Sequence, residues 1–273
     1  MRAWLDGHLL TDPEAPAIRL SDHGFTVGDG VFEAVKVIDS RPFALTRHVR
    51  RLARCAHALG LPALDEDAVR RGVAEVLAAE AIPFGRLRIT YTAGPSPLGS
   101  GRGASRPTLA VVSTDMAPYP ETTAVATVPW PRNERGALAG LKTTSYAENV
   151  VALARAAELG ASEALFANTA GNLCEGTGTN VFYVLDGQLR TPTLASGCLA
   201  GVTRALLVEW LNVREVDEPI AVLREAEEIF LASTTRDVQG VHQCDGHDLS
   251  APGPHTREAA RVFAERSAAD LDP

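Results

Sequence analysis

The chain contains only two lysines, Lys36 and Lys142, although lysine and arginine together number 26, so the other 24 basic residues are arginine. Arginine keeps its proton under all ordinary conditions, whereas a lysine amine can lose it and act as a nucleophile or base. A sequence that uses arginine for almost every positive charge is expected to keep lysine where arginine cannot serve. Either lysine is therefore a candidate reactive amine, and the alternative is two leftover surface lysines.

The surroundings of Lys142 favour the chemical interpretation. This lysine lies between a predicted strand and a predicted helix, and Glu175 follows after a further helix, a strand and a tight turn. An amine that condenses with an aldehyde and an acid that keeps a pyridine nitrogen protonated are the two groups that pyridoxal phosphate chemistry requires. By spacing alone, a solvated turn carboxylate is the other interpretation of Glu175.

Length and composition limit the class of protein. A chain of 273 residues with 45% hydrophobic and 22% charged residues is typical of a soluble globular protein with one large core or two ordinary ones. The net charge of −8 argues against a nucleic-acid surface. The sequence has no long apolar run and no leader-like start, so we expect no membrane partner and a cytoplasmic location. The four cysteines form no CxxC pair and no histidine stands at ligand spacing, so neither disulfides nor a metal site are expected.

Strand-like and helical segments alternate without an internal repeat, which predicts a mixed α/β (α+β) fold. Residues 2–10 are expected to form a hairpin, and Thr46 and Asp65 are the expected N-caps of the first two long helices. The segment 115–121 contains two prolines and is the predicted linker between a small N-terminal domain, 1–114, and a larger C-terminal domain, 122–273. The predicted strands are 31–38, 86–93, 108–114, 123–129, 163–167, 179–185 and 188–191, and the predicted helices are 46–58, 66–81, 146–158, 203–211 and 255–268.

Several motifs occur together in one order and spacing. They are SDHGFTVGDGVFEAVKV (21–37), RHVRRL (47–52), LKTTSYAEN (141–149), LCEGTGTNVFYVLDG (173–187), GVTR (201–204) and LASTTRDV (231–238). On these stretches the whole chain resembles the class IV aminotransferases, pyridoxal phosphate enzymes of fold type IV. They include D-amino acid aminotransferases, branched-chain aminotransferases and 4-amino-4-deoxychorismate lyases. The resemblance implies a small N-terminal α/β domain, a larger C-terminal α/β pseudo-barrel domain and a homodimer with active sites at the subunit interface.

The resemblance also implies roles for individual residues. Lys142 corresponds to the Schiff-base lysine and Glu175 to the partner of the pyridine nitrogen. Arg51 corresponds to a ligand of the cofactor phosphate, which also meets the helix start at Val202 and Thr203. The remaining cofactor-binding residues implied by the resemblance are Ser233, Thr234, Tyr146 and Asn180.

The substrate-binding residues are less directly implied. The segment VFEAVKV is closest to the D-amino acid aminotransferase pattern, but that group's carboxylate trap, an arginine and a histidine after Ser-Pro, is replaced here by Ser96-Pro97-Leu98-Gly99-Ser100. Alternation along the next strand puts Arg86, Arg88 and Thr90 on one face, and we expect Arg88 to bind the carboxylate, with Arg236 as second choice. Phe32 and Thr235 are the other expected substrate-binding residues.

We therefore predict first a transaminase that moves an amino group from a D-amino acid, and also from an (R)-primary amine, to a 2-oxo acid such as 2-oxoglutarate or pyruvate. The alternative is a 4-amino-4-deoxychorismate lyase, which Phe32 in place of tyrosine and the basic Arg88 suit. Branched-chain activity is less favoured, because Thr143-Thr144-Ser145-Tyr146 replaces Gly-Gly-Asn-Tyr. A cofactor-binding protein without catalysis is disfavoured by Lys142 and Glu175, and Lys36 is expected to be structural.

Overall fold

The computed structural model describes residues 1–104 and 106–273, and the chain divides into two compact units. Unit 1 contains Met1–Pro118, Leu141–Tyr146 and Leu271–Pro273, and unit 2 contains Tyr119–Gly140 and Ala147–Asp270. The segment that carries Lys142 therefore belongs to unit 1, although residues of unit 2 flank it on both sides in sequence. The assignment of 1–114 and 122–273 as domains stays a prediction.

The described part of unit 1 forms an antiparallel sheet with two long helices packed on one face. The elements are β1 (Arg2–Leu5), β2 (His8–Leu9), α1 (His23–Thr26), β3 (Gly30–Ile38), β4 (Arg41–Pro42), α2 (Leu45–Ala58), α3 (Glu66–Ala79), β5 (Phe84–Thr92) and β6 (Thr108–Asp115). The sheet order is β2-β1-β6-β5-β3-β4. Val31, Val35 and Val37 of β3 share one core with Val49 and Leu52 of α2. Alternation turns the even-numbered residues of β3 to the opposite face.

The expected N-cap of α2 is wrong, whereas that of α3 is confirmed. Helix α2 begins one residue earlier than predicted, after Ala44, whose backbone is left-handed with φ 53°. Thr46 does not cap, because the Asp272 carboxylate accepts from the Thr46 N–H at 2.8 Å and from its hydroxyl at 2.6 Å. Asp65 accepts from the Ala68 N–H at 2.9 Å, as its position before α3 predicts.

Unit 2 contains a larger mixed sheet in the order β12-β11-β10-β13-β14-β7-β8-β9, with β15 paired to β14. Helix α4 packs on β7 and β8, where Ala152 and Ala156 meet Ala164 and Phe166, and α5 and α6 pack on β13. The elements are β7 (Thr122–Thr127), α4 (Ala147–Glu158), β8 (Glu163–Ala167), β9 (Leu173–Gly176), β10 (Asn180–Leu185), β11 (Gln188–Thr191), α5 (Val202–Trp210), β12 (Arg214–Glu215), β13 (Glu228–Ser233), β14 (Asp237–Cys244), β15 (His247–Asp248) and α6 (Pro254–Ala269).

The mixed α/β prediction is confirmed, and most predicted elements lie within two residues of their expected bounds. Strands β9, β13 and β14 have no counterpart among the strands predicted from the sequence. In the part of the chain that the structure describes, no helix is long and apolar enough to cross a membrane. The four cysteines are free and buried.

Candidate active site

Main-chain hydrogen bonds tie the segment around Lys142 to the start of β3. The Phe32 N–H donates to the Lys142 carbonyl at 3.0 Å, and the Thr144 N–H donates to the Gly30 carbonyl at 2.8 Å. The Thr144 hydroxyl adds a bond to the Gly28 carbonyl at 2.8 Å. These bonds on both sides of the lysine fix its backbone against the strand.

The turn before β3 requires glycine at position 28. Gly28 is left-handed with φ 71°, and a Cβ there would lie 2.5 Å from the Ser145 hydroxyl oxygen. The close approach lets this turn pack against the lysine segment.

Phe32 is the common neighbour of three candidate residues. The Lys142 Nζ lies 4.4 Å from the centroid of the Phe32 ring, and the Arg88 guanidinium carbon lies 3.5 Å from the same centroid. The Tyr146 ring meets Phe32 edge-on at 5.1 Å between centroids. A reactive amine and a guanidinium are thus both placed around one aromatic side chain, at distances typical of cation–π contact.

The pairing of β3 with β5 explains how Arg88 reaches this position. Phe32 pairs with Thr90, and Ala34 pairs with Arg88, so these residues lie on one face of the sheet. The Arg88 Nε donates to the Thr90 hydroxyl at 3.2 Å. The alternation predicted for this strand is therefore confirmed, whereas the role of Arg88 toward a substrate stays a prediction.

The opposite face of β3 carries a fully buried carboxylate, Glu33. The Arg51 side chain donates to it twice, each time at 2.7 Å, and His48 Nδ1 lies 2.7 Å from Glu33 Oε2. Burial alone would raise the pKa of Glu33, but the charge of Arg51 and the hydrogen bonds from Arg51 and His48 outweigh it and hold the pKa at about 2, against an ordinary 4.5. Burial lowers the pKa of His48 despite that bond, so the imidazole is neutral at neutral pH.

Glu33 and His48 are site residues that the sequence analysis missed. The visible clue is that Glu33 lies midway between Val31 and Val35 at two-residue spacing, so a charged residue occupies the core face of the strand. Arg51 is 4% exposed, and Glu33 sets the orientation of its guanidinium. Contact between Arg51 and the cofactor phosphate stays a prediction.

The other lysine, Lys36, is 3% exposed, which excludes a leftover surface lysine. Its ammonium lies 5.2 Å from the centroid of the Phe43 ring, on the inside of unit 1. The structural role expected for Lys36 stays a prediction.

The loop that lacks the arginine–histidine trap is held to the turn before β3. Arg102 donates to both oxygens of Asp29, at 2.7 and 2.6 Å, and also to the Gly60 carbonyl at 2.6 Å. His23 lies between the same carboxylate, at 3.2 Å, and the Gly99 carbonyl, at 2.9 Å. Arg102 thus anchors this loop within the chain.

In unit 2, Glu175 lies on β9 and its side chain is 13% exposed, so the solvated-turn interpretation is wrong. Its Oε2 accepts from the Leu199 N–H at 2.8 Å, and its Oε1 lies 3.5 Å from Arg132 Nε. A main-chain donor and a guanidinium therefore orient this carboxylate. Arg132 was not identified from the sequence, because nothing local connects it to Glu175.

Asn180 supports the loop that leads into α5. Its Nδ2 donates to the Leu199 carbonyl at 2.9 Å. Gly201 is the N-cap residue of α5, and no side chain caps this helix. A Cβ at position 201 would clash with the Asn180 Oδ1. The first helical residues, Val202 and Thr203, are buried. A helix start with glycine at its cap and a hydroxyl in its first turn has donors suited to an anion.

The turn from Ser233 to Arg236 follows β13 directly. The Arg236 N–H donates to the Ser233 hydroxyl at 3.3 Å. The Arg236 guanidinium stacks on the Tyr119 ring at 4.4 Å, donates to the Ser162 carbonyl at 3.1 Å and lies 3.9 Å from Glu163. These contacts within unit 2 occupy much of Arg236. Substrate roles for Arg236 and Thr235, and phosphate contacts for Ser233 and Thr234, stay predictions.

The donor types of the two units fit pyridoxal phosphate. Unit 1 supplies an amine, Lys142, and a buried guanidinium, Arg51. Unit 2 contains a carboxylate, Glu175, of the kind that pairs with a protonated ring nitrogen, and donors at the start of α5 of the kind that bind a phosphate. Contact of these groups with a cofactor stays a prediction. Within the described ranges, no group of three or more histidine, cysteine, aspartate and glutamate side chains is arranged to hold a metal ion.

Comparison with known proteins agrees with this chemistry. The family model of amino-transferase class IV matches residues 30–244, so the chain belongs to the class IV aminotransferases, which depend on pyridoxal phosphate. A bifunctional aminodeoxychorismate lyase / D-amino acid transaminase of Mycobacterium tuberculosis is 30% identical, covering 96% of this chain and 95% of the relative. The D-alanine aminotransferase of Listeria monocytogenes is 25% identical, covering 97% and 96%. The crystal structure of a branched-chain aminotransferase from Thermoproteus uzoniensis superposes with a TM-score of 0.90 at 26% identity, covering 97% and 94%.

The Glu33–Arg51 pair makes a testable contribution to stability. Glu33→Gln removes the negative charge that pairs with the buried Arg51, so we expect the free energy of unfolding to fall by about 3 kcal/mol at neutral pH. Because the folded-state pKa of Glu33 is depressed, its contribution is present above about pH 4.5 and is lost as the pH falls toward about 2. When the native protein and Glu33→Gln are unfolded with urea from pH 7 downward, the difference between their free energies of unfolding should therefore narrow in acid. Glu80→Gln, which breaks the exposed pair with Arg2, is the control and should cost less than about 1 kcal/mol. A gap that is small, or constant with pH, would contradict the prediction.

Proposed function

We propose that this class IV aminotransferase transfers an amino group from a D-amino acid, and also from an (R)-primary amine, to a 2-oxo acid such as 2-oxoglutarate or pyruvate. The observation that carries the proposal is the arrangement around Phe32, where the Lys142 amine and the Arg88 guanidinium approach the same ring at 4.4 and 3.5 Å. An amino acid whose carboxylate binds Arg88 would present its α-carbon to Lys142.

The roles of the chain's own residues follow from their chemistry. When bound, the cofactor supplies an aldehyde and an electron-accepting ring. Lys142 Nζ is the nucleophile for that aldehyde and the base that moves the proton of the amino-bearing carbon. Glu175 holds the proton on the ring nitrogen, while Arg51 and the start of α5 bind the phosphate.

The anchored loop supports activity toward amines as well. Its exposed tip carries Leu98, which is 84% exposed, and its arginine is bound to Asp29. The loop thus offers an apolar side chain where the D-amino acid aminotransferases place a charged trap. A substrate that has an aromatic or alkyl group instead of a carboxylate is compatible with that surface.

The second candidate function is 4-amino-4-deoxychorismate lyase. Phe32 stands at the position of a tyrosine, and Arg88 is a basic residue on the strand beside it. The Mycobacterium tuberculosis relative is named for both activities. The same amine and ring would serve the elimination of pyruvate.

Two parallel assays distinguish the candidates. We expect purified protein to move the amino group of D-alanine to 2-oxoglutarate faster than it releases pyruvate from aminodeoxychorismate. Lys142→Ala should abolish both reactions and the absorbance band of the lysine-linked cofactor, because alanine offers no amine. Rapid pyruvate release without amino transfer would replace the first candidate by the second, and normal turnover of Lys142→Ala would exclude both.

We further propose a homodimer. Four apolar residues of unit 1, Ile18, Leu20, Phe25 and Val27, are between 46% and 80% exposed, and three of them line a groove of about 370 Å³. An apolar patch of this kind needs a partner surface. Sedimentation should show a dimer at assay concentrations, and Leu20→Asp with Phe25→Asp should shift it toward monomer. Leu138→Asp, at an exposed position of unit 2, is the control. A fully active monomer would contradict the proposal.

Removal of Arg88 should separate substrates by their carboxylate. If Arg88 binds the α-carboxylate, Arg88→Ala leaves the desolvated carboxylate of the substrate unpaired. We therefore expect kcat/KM for D-alanine to fall roughly 30- to 1000-fold, which corresponds to about 2–4 kcal/mol of transition-state stabilisation. The half-reaction with (R)-1-phenylethylamine should fall much less, because this amine has no carboxylate. Pre-steady-state rates for both substrates provide the measurement.

Arg86→Ala is the matched control for this experiment. Arg86 lies on the same face two residues earlier and contacts the Met116 sulfur at 3.5 Å. It should show no selective loss for D-alanine. Equal losses on both substrates in Arg88→Ala would mean that Arg88 supports the fold or the cofactor, and Arg236 would become the candidate for the clamp.

A further inference from the structure

The strand pairing of unit 2 places Arg132 beside Glu175. Phe166 of β8 and Glu175 of β9 are directly paired, so their side chains lie on the same face of the sheet. The Arg132 guanidinium stacks on the Phe166 ring at 4.3 Å and approaches Glu175 Oε1 with its Nε at 3.5 Å. The side chains of Arg132 and Glu175 are only 16% and 13% exposed, so water screens their attraction weakly.

The last two residues of the lysine motif hold Arg132 in this position. Its Nη1 donates to Glu148 Oε2 and to Asn149 Oδ1, each at 2.8 Å. Asn149 is buried, and its Nδ2 donates in turn to the Thr177 carbonyl at 2.7 Å, two residues beyond Glu175. The Glu-Asn end of the LKTTSYAEN motif, to which the proposed function assigns no role, thus links Arg132 to the strand that carries Glu175.

The charge balance of this cluster suits a cationic ligand group. Arg132 lies between two carboxylates, so the cluster of Arg132, Glu148 and Glu175 carries one net negative charge. An isolated guanidinium beside Glu175 would repel a protonated ring nitrogen. Because Glu148 balances that guanidinium, Arg132 can stabilise the ionised form of Glu175 and still leave one negative charge to pair with the ring nitrogen. Among the described residues, the buried Arg132 Nε has no hydrogen-bond partner, so its 3.5 Å approach to Glu175 is its main polar contact.

We propose that Arg132, held by Glu148, Asn149 and the Phe166 ring, is a positioning residue that keeps Glu175 ionised and oriented for the protonated ring nitrogen of the cofactor. The inference rests on the proposed role of Glu175. It assigns to Arg132 an effect on the ring nitrogen alone, and no effect on the phosphate or the aldehyde. A residue that only stabilises the fold would affect all of these contacts together.

A pair of cofactors separates these two roles. Pyridoxal phosphate has the ring nitrogen, and its carbon analogue has a C–H group at the same position. Equilibrium dissociation constants of both compounds are measured for the full-length protein stripped of cofactor, by the change in tryptophan fluorescence. In Arg132→Met we expect the affinity for pyridoxal phosphate to fall about 10-fold, the loss of one charge-assisted hydrogen bond, and the affinity for the carbon analogue to change by less than about twofold.

Matched variants make the result interpretable. Arg135→Met removes a neighbouring arginine whose side chain is 85% exposed, and it should leave both affinities unchanged. Arg132→Gln keeps a hydrogen-bond donor for Asn149 but removes the charge. It replaces Arg132→Met if the methionine variant does not fold, and the same changes in affinity are expected. Equal losses for both compounds, or unchanged affinity for pyridoxal phosphate, would overturn the inference.

Glu175→Gln distinguishes failure of the inference from failure of the proposed function. If Glu175 contacts the ring nitrogen, Glu175→Gln should abolish the preference for pyridoxal phosphate over the carbon analogue. A lost preference in Glu175→Gln together with a preserved preference in Arg132→Met would reject only the role of Arg132. A preserved preference in Glu175→Gln would reject the role proposed for Glu175 itself. When both substitutions are combined, Arg132→Met should have little further effect on the affinity for pyridoxal phosphate, because the Glu175 carboxylate through which Arg132 acts is gone.

Discussion

The buried Glu33 carboxylate is the constraint around which unit 1 is built. A charge on the core face of a strand is costly unless a partner neutralises it, and the partners come from one helix, with Arg51 and His48 three residues apart on the same face of α2. The pair therefore fixes α2 on β3. With one face of β3 committed in this way, the other face presents Phe32, against which the Lys142 segment and the side chain of Arg88 pack.

Unit 2 also contains a pair of a carboxylate and an arginine, but the two residue types exchange roles. In unit 1 the arginine is the member proposed to contact a ligand, and the carboxylate orients it. In unit 2 the carboxylate, Glu175, is the member proposed to contact a ligand, and Arg132 orients it. Each unit thus contains one charged side chain that is oriented by a neighbour of opposite charge. The ion pair limits the rotation of a long side chain and keeps the local net charge small.

The fold alone does not choose among the activities of this family. D-alanine aminotransferase, a bifunctional lyase and transaminase, and branched-chain aminotransferase relatives all match nearly the full chain. Because these relatives share one architecture, substrate choice must depend on a few side chains. The side chains proposed to make that choice in this chain are Phe32 and Arg88 on the sheet, together with the loop in which Arg102 is bound to Asp29.

The sequence by itself predicted most of the elements, the face on which Arg88 lies and Lys142 as the candidate reactive lysine, because these depend on spacing over a few residues and on local motifs. The tertiary structure alone decided that Asp272 caps α2, that Glu33 pairs with Arg51 and that Arg132 pairs with Glu175. Local periodicity predicted the strand that contains Glu33, but it did not predict that Arg51 pairs with the Glu33 carboxylate. Ion pairs between distant segments depend on how elements pack, and no short-range pattern records that.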